Sequence, residues 1–228
     1  MKKKVNKLRV AIDGPAASGK NTLAKQIAKK YKLLHLDSGK LYRYFALQIH
    51  QSKDQKINYT KLKQALKKLT LKKLKDKRLT TEPVTKIASI ISKKKRIRQM
   101  LKKVQHDLAY NPPKKFKGSI LDGRDIGTVI MPDAHVKVYL TANLNVRAVR
   151  RYKEYKKMGI KTTLVRVKSD IKKRDYEDTH RKISSLKPAK DAVLLDSSFY
   201  NTKAAFVEID KVIRNEIKRL NATKHKSL

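Results

Sequence analysis

The chain has 228 residues, enough for a domain with a substantial hydrophobic core, and it contains no cysteine. The lack of cysteine excludes disulfides, thiolate catalysis and cysteine-bound zinc, and it is typical of a protein from a reducing cytoplasm. Lys and Arg total 59 against 19 Asp and Glu, a formal net charge of +40, which favours anionic ligands and raises nucleic acid as a partner.

Two interpretations of this charge stay open. The first is a dedicated role in binding nucleic acid, and the second is a lysine-rich surface without a dedicated partner. The lysines are spread through the chain and only 6% of the residues are aromatic, so positions for base stacking are scarce and the second interpretation is favoured. Either one predicts non-specific binding to nucleic acid at low salt.

The N-terminal residues 1–4 (MKKK) resemble the basic start of a signal peptide. Arg9 and Asp13 interrupt the segment that follows, so it lacks the apolar stretch that a signal peptide needs. No run elsewhere approaches the roughly 20 apolar residues that span a bilayer. We therefore expect a soluble, cytoplasmic protein with no membrane partner.

A loop bounded by two glycines lies between the first predicted strand, Leu8–Asp13, and the first predicted helix. Its sequence, GPAASGK, has the spacing of a phosphate-binding P-loop. The glycines let successive N–H groups face one anion, the helix adds the positive end of its dipole, and the lysine supplies a charge for the outer phosphates. The residues assigned to the nucleotide are Gly14, Pro15, Ala16, Ala17, Ser18, Gly19, Lys20, Asn21 and Thr22.

Four further apolar runs alternate with helical patterns along the chain. This alternation predicts an α/β protein with a parallel sheet covered on both faces. The runs predicted as strands are Leu33–Leu36, Ser119–Asp122, Val136–Leu140 and Ala192–Asp196.

The middle of the chain has a different pattern. Residues 51–80 are polar and lysine-rich with only a weak helical stripe, which is consistent with an exposed insert. Beyond them, apolar residues from Ile87 to Leu108 form one long stripe typical of an amphipathic helix, and Asn111 with the two following prolines ends it.

Three segments carry charged residues that could face a ligand opposite the P-loop. Asp37 and Arg43 follow the second strand, the run Asp122–Asp125 ends the third, and Arg174–Arg181 ends a late helix. Taken alone, each segment is explained equally well by surface ion pairs or helix caps. Together with a P-loop, and at the strand ends where open parallel sheets bind ligands, they favour a common site.

These segments resemble the bacterial cytidylate kinases, which are P-loop nucleoside monophosphate kinases. The similarity runs from about Val10 to beyond Asp196, and its most specific part is Leu121–Thr128 (LDGRDIGT) combined with the later segments. The resemblance implies one P-loop kinase domain over 1–228, a three-layer α/β/α fold with a central five-stranded parallel sheet. It also implies a short NMP-binding insert at about 51–110 and a mobile lid at about 147–181.

The reaction implied by the resemblance is transfer of the γ-phosphoryl group of ATP to CMP or dCMP in pyrimidine metabolism, with Mg²⁺. Three sets of substrate-binding residues have implied roles, and Asp37 and Ser38, in the same matching segment as Arg43, are also substrate-binding candidates. Arg43, Arg124 and Arg181 would clamp the monophosphate, Ser89, Arg98 and Asp125 would read the cytosine, and Arg174 and Asp178 would hold the sugar. Arg98 is placed by a gapless match from Leu79.

The catalytic candidates are Lys20, Arg124, Arg150 and Arg151, although the helix that carries the last two could simply present a solvated basic face. Asn21 stands where Ser or Thr usually follows the P-loop lysine, so Thr22 and Asp122 are the magnesium candidates, with Asn21 as an alternative to Thr22. Another small-molecule P-loop kinase of the UMP/CMP type and a basic RNA-binding protein stay open as alternatives. We expect a monomer.

Overall fold

A computed structural model describes residues 7–225, with side chains described as far as residue 222. The lysine run at residues 1–4 therefore lies outside the described residues. The chain forms two compact units, which are described separately. The sheet unit comprises Met1–Leu36 and Leu108–Leu228, and the helical unit comprises Asp37–Asp107.

The chain alternates strands and helices, as the sequence predicts. In chain order, the elements are β1 Leu8–Asp13, α1 Lys20–Tyr31, β2 Leu34–Asp37, α2 Ser38–His50, α3 Tyr59–Lys67, α4 Glu82–Ile91, α5 Lys95–Tyr110, β3 Gly118–Gly123, β4 Val136–Thr141, α6 Leu144–Lys157, α7 Leu164–His180, β5 Val193–Asp196 and α8 Thr202–His225.

The five strands form one parallel sheet in the order β2-β3-β1-β4-β5. The predicted five-stranded parallel sheet is therefore confirmed, and the predicted strand limits agree with the observed ones to within one residue. In the centre of the sheet, Val10 of β1 pairs with Ile120 of β3 and with Val136 of β4. The loop after β1 thus emerges between the ends of two flanking strands, where ligands bind in such sheets.

Helices α1 and α8 supply much of the core of the sheet unit. Ile27 of α1 and Ile209 and Ile213 of α8 are buried in one cluster with Ile12 and Val138 of the central strands. Each such side chain contributes about 1.5–3 kcal/mol to folding by leaving water. This packing fixes the carboxyl end of β1, and so the loop that follows it.

The helical unit is built around α2, which packs against α4. The long apolar stripe predicted from Ile87 to Leu108 is divided between α4 and α5, and Ile90 is 59% exposed. The chain turns at Ser92, whose hydroxyl donates to the carbonyl oxygen of Ser89 at 2.8 Å. Residues 51–80 contain α3 and two 3₁₀ turns, Lys73–Lys75 and Lys77–Thr80, rather than a strand.

Candidate active site

The P-loop connects β1 to α1, as the sequence predicts. A Cβ atom on Gly14 would lie 1.9 Å from the carbonyl oxygen of Leu140, so only glycine lets β1 approach β4 there. Gly19 has φ of 93° and Ala17 has φ of 59°, both in the left-handed region. The first turn of α1 contains no acidic residue, which leaves its positive dipole end available to an anion.

Lys20 folds back onto its own loop. Its ammonium donates to the carbonyl oxygen of Pro15 at 2.6 Å and to Ser18 Oγ at 3.1 Å, and only 6% of the residue is exposed. Burial, followed by the charge of Arg124, lowers the pKa of Lys20 well below its usual value, although Asp122 and Asp13 act in the opposite direction. The loop therefore holds a buried cation that an added phosphate would stabilise.

Asp13, the last residue of the central strand, binds a distant backbone segment. Its carboxylate accepts hydrogen bonds from the N–H groups of Ile126 at 2.8 Å and Gly127 at 2.7 Å. These residues begin a π-helical turn, Ile126–Ile130, a conformation found often at functional sites. Burial raises the pKa of Asp13 to about 6, and the negative charge of Asp125 acts in the same direction. The two backbone hydrogen bonds act in the opposite direction but do not outweigh burial.

Asp122 lies on β3, and one of its carboxylate oxygens is 2.6 Å from Nε2 of His35. The described residues contain no cluster of three or more His, Asp or Glu side chains that could hold a metal by themselves. Magnesium in nucleotide sites is held by one or two protein oxygens, with water and phosphate completing its shell. Asp122, with Asn21 or Thr22 near the start of α1, offers oxygen donors of that kind, so these residues fit the ion.

Asp178 gathers three arginines around one carboxylate. Arg124 donates to it through Nε at 2.7 Å and Arg181 through Nη1 at 3.3 Å, while Nε of Arg174 lies 3.9 Å away. Burial alone would raise the pKa of Asp178, but the three guanidinium groups outweigh it and the pKa is lowered. The structure thus brings four predicted substrate-binding residues together in the sheet unit.

The three arginines of α6 point to different partners. Arg147 donates to the carbonyl oxygen of Ala16 in the P-loop at 3.1 Å. Arg150 donates to the carbonyl oxygen of Ser197, after β5, at 2.7 Å, and Arg151 pairs with Glu154 on the helix surface at 3.1 Å. The catalytic roles of Arg150 and Arg151 stay predictions, and of the three arginines Arg147 is the one bonded to the P-loop.

The helical unit holds the other predicted substrate-binding residues except Asp125, which is buried in the sheet unit. Arg43 pairs with Asp37 at 2.9 Å. Arg98, 8% exposed, donates to the carbonyl oxygen of Ser92 at 3.0 Å, and its guanidinium carbon lies 5.6 Å from the centre of the Tyr42 ring. Ser38 is buried at the start of α2, and Ser89 is half-buried on α4.

Comparison with known proteins identifies the family of the chain. The model of the family described as "Cytidylate kinase" matches residues 10–218. The chain belongs to the cytidylate kinase family. "Cytidylate kinase" of Streptococcus mutans serotype c is 38% identical, with coverage of 93% of this chain and 98% of that protein. "Cytidylate kinase" of Bartonella quintana is 42% identical, with coverage of 91% and 97%.

A solved structure supports the fold of this family member. The crystal structure of an uncharacterized protein from Eubacterium ventriosum is 14% identical, with a TM-score of 0.52 and coverage of 91% of this chain and 98% of that one. Among residues 7–225, none of the helices has the length and apolar character needed to cross a membrane.

Sequence reasoning missed two polar residues of this kinase-family site. The sequence pattern predicts Asp13 only as the end of a strand, although a charged residue that closes the central strand is itself a signal. No sequence pattern points to Asp175, whose carboxylate accepts a hydrogen bond from the N–H of Ala16 in the P-loop at 3.0 Å. No local pattern connects residues so far apart in the chain.

Proposed function

We propose that the chain transfers the γ-phosphoryl group of ATP to CMP or dCMP, giving ADP and CDP or dCDP, in pyrimidine nucleotide metabolism. The family match over residues 10–218 carries this proposal. The buried cation of the P-loop and the arginine cluster around Asp178 supply chemistry suited to it, because both present positive charge to phosphate groups.

The reaction needs no covalent group from the protein. An oxygen of the CMP phosphate attacks the γ-phosphorus in line, a new O–P bond forms, and the bond to the β–γ bridging oxygen breaks as ADP leaves. Lys20 exchanges its bonds to Pro15 and Ser18 for phosphate oxygens. Positioning and preorganised positive charge then provide most of the rate enhancement.

The proposed function also assigns residues to Mg²⁺ and to the phosphoryl acceptor, CMP or dCMP. Asp122, with Thr22 or Asn21, would hold Mg²⁺, which neutralises charge on the β- and γ-phosphate oxygens. We keep the family's assignments for the acceptor. Arg43, Arg124 and Arg181 take the phosphate, Arg174 and Asp178 the sugar, and Ser89, Arg98 and Asp125 the base.

A panel of acceptors tests the function. The purified chain is given ATP, Mg²⁺ and one of CMP, dCMP, UMP or AMP, and ADP release is followed by a coupled assay. CMP and dCMP should give the highest kcat/KM. Equal kcat/KM for UMP would favour a UMP/CMP-type kinase, and RNA binding at physiological salt without any transfer would favour the RNA-binding alternative.

Asp125 provides a sharper test of base selection. Cytosine presents an amino donor at C4 and uracil an oxygen acceptor, so a buried carboxylate facing that edge should disfavour UMP by as much as about 10⁴-fold. Asp125→Asn offers a donor as well as an acceptor, so it should narrow the ratio of kcat/KM for CMP over UMP. If the variant slowed both nucleotides equally, Asp125 would have no role in reading the base.

A further inference from the structure

One residue of the P-loop, Ala16, is held at both its backbone N–H and its carbonyl oxygen by a single ion pair. The N–H of Ala16 donates to Oδ1 of Asp175 at 3.0 Å, and the carbonyl oxygen of Ala16 accepts from Nη1 of Arg147 at 3.1 Å. The same Nη1 donates to Oδ2 of Asp175, which closes a ring. Arg147 belongs to α6 and Asp175 to α7, so two helices hold one residue of the loop.

An apolar contact reinforces this polar one. Ala16 is buried in a small cluster with Ala148 of α6 and with Val167 and Ile171 of α7. The cluster and the ion pair meet at the same loop residue, and both connect it to the same two helices. The contact is therefore a built feature of the sheet unit rather than one chance hydrogen bond.

The two charged side chains are well placed to hold the loop. Side-chain exposure is 9% for Arg147 and 18% for Asp175, and charge-assisted hydrogen bonds are roughly twice as strong as neutral ones. Arg147 is also anchored by its Nε, which donates to the carbonyl oxygen of Ala142 at 2.7 Å. Because the pair is neutral overall, it adds no net negative charge that would repel a triphosphate.

The loop has a conformation that needs such support. Ala17, directly after the held residue, has φ of 59°. The left-handed region disfavours residues with a Cβ, and they persist there only when their surroundings hold them. The bonds at Ala16 fix the peptide that leads into this strained residue.

We propose that Arg147 and Asp175 form a positioning pair that keeps the Ala16–Ala17 backbone in the conformation that binds phosphate. The affinity of the P-loop for ATP then depends on a carboxylate of α7 that need not touch the nucleotide. This inference rests on the proposed function in taking ATP as the ligand of the loop.

Calorimetric titration of ATP without an acceptor tests the pair. Asp175→Ala and Arg147→Ala should each raise the Kd for ATP by about tenfold, and the double variant should be no weaker than the weaker single one, because the two side chains act as a unit. The KM for CMP should stay within about twofold in Asp175→Ala. Asp170→Ala, an exposed carboxylate on the same helix, is the matched control and should leave the Kd unchanged.

Three results would overturn the proposal: an unchanged Kd in folded Asp175→Ala, a tighter Kd in that variant, or losses that multiply in the double variant. A tighter Kd would mean that the carboxylate competes with phosphate. Should Asp175→Ala fail to fold, Asp175→Asn, which keeps an oxygen acceptor for the N–H of Ala16, replaces it and should bind ATP with intermediate affinity; an unchanged or tighter Kd there also overturns the pair.

The wild-type chain separates this inference from the proposed function. If it binds ATP but phosphorylates no CMP, the proposed acceptor fails while the Kd values still decide the role of the pair. If it binds no ATP, both proposals fail.

Discussion

Asp13 and Asp178 are both buried carboxylates of the sheet unit, yet their surroundings move their pKa values in opposite directions. Asp13 accepts hydrogen bonds from two backbone N–H groups, and its pKa is raised to about 6. Asp178 lies among three guanidinium groups, and its pKa is lowered. At this depth, two peptide dipoles do not offset the loss of water around a carboxylate, whereas nearby full charges do.

The two carboxylates therefore affect stability with opposite dependence on pH. The raised pKa of Asp13 means that the folded chain binds a proton more tightly than the unfolded chain, so its contribution to stability is lost as pH rises from about 4 to about 6. The lowered pKa of Asp178 gives stability that is present above the unfolded value of 3.8 and is lost below it. At neutral pH, the buried charge of Asp13 at the end of β1 therefore lowers the stability of the fold, whereas the charge of Asp178 among its arginines raises it.

The largest expected effect comes from removing the cation beside Asp13. Lys20→Ala should lower kcat by at least about 10³-fold, because a charge aimed at the transferring group is lost. Thermal stability should not fall, because the lost ammonium is buried and its pKa is already lowered. Lys25→Ala, exposed on the same helix, is the control, and near-normal turnover in folded Lys20→Ala would contradict the P-loop assignment.

Removing the carboxylate of Asp178 should mainly affect folding. Asp178→Ala leaves Arg124 and Arg181 without their shared carboxylate and should lower the free energy of unfolding by about 3–5 kcal/mol. Urea unfolding at neutral pH measures this, with Asp170→Ala expected to change it by less than about 0.5 kcal/mol. A loss as small as that control's would mean that the cluster does not depend on Asp178.

The pH dependence of Asp13 can be isolated with a variant that does not titrate. The unfolding free energy of Asp13→Asn should rise relative to that of the wild type by about 2 kcal/mol between pH 4 and pH 7, because the wild-type pKa is raised from 3.8 to about 6. Chemical denaturation of both proteins across this range gives the difference at each pH. A constant difference would show that Asp13 is not perturbed.

The smallest effect on stability belongs to the outermost arginine of the cluster. Arg174 is 3.9 Å from Asp178 with its side chain 40% exposed, so Arg174→Gln should lower the free energy of unfolding by less than about 1 kcal/mol. Arg124→Gln, at the buried 2.7 Å contact, should cost more. If Arg174 holds the sugar, its variant should instead raise the KM for CMP, and an unchanged KM would remove that role.

Local sequence patterns predict the strands and the P-loop of this chain, but not the contacts between distant residues at the site. The five strands and the P-loop were predictable because apolar runs, glycine spacing and a following helix are local patterns. The hydrogen bonds that the Asp13 carboxylate accepts were not predictable, because one of them comes from the N–H of Gly127, 114 residues away. The turn at Ser92 was hidden because the apolar period continues across it. The arginines of α6 share one basic pattern, and packing alone directs them to separate partners.

Gly14 and Gly19, the glycines at the two ends of the P-loop, should tolerate different substitutions during evolution. At Gly14 the obstacle is space, because any Cβ would strike the backbone of β4, so even alanine must force two strands apart. At Gly19 no atom lies within 4 Å of a Cβ, and the constraint is torsional, with φ of 93°. Selection for folding alone should therefore retain the first glycine, whereas the second should admit asparagine or aspartate until nucleotide binding is also required.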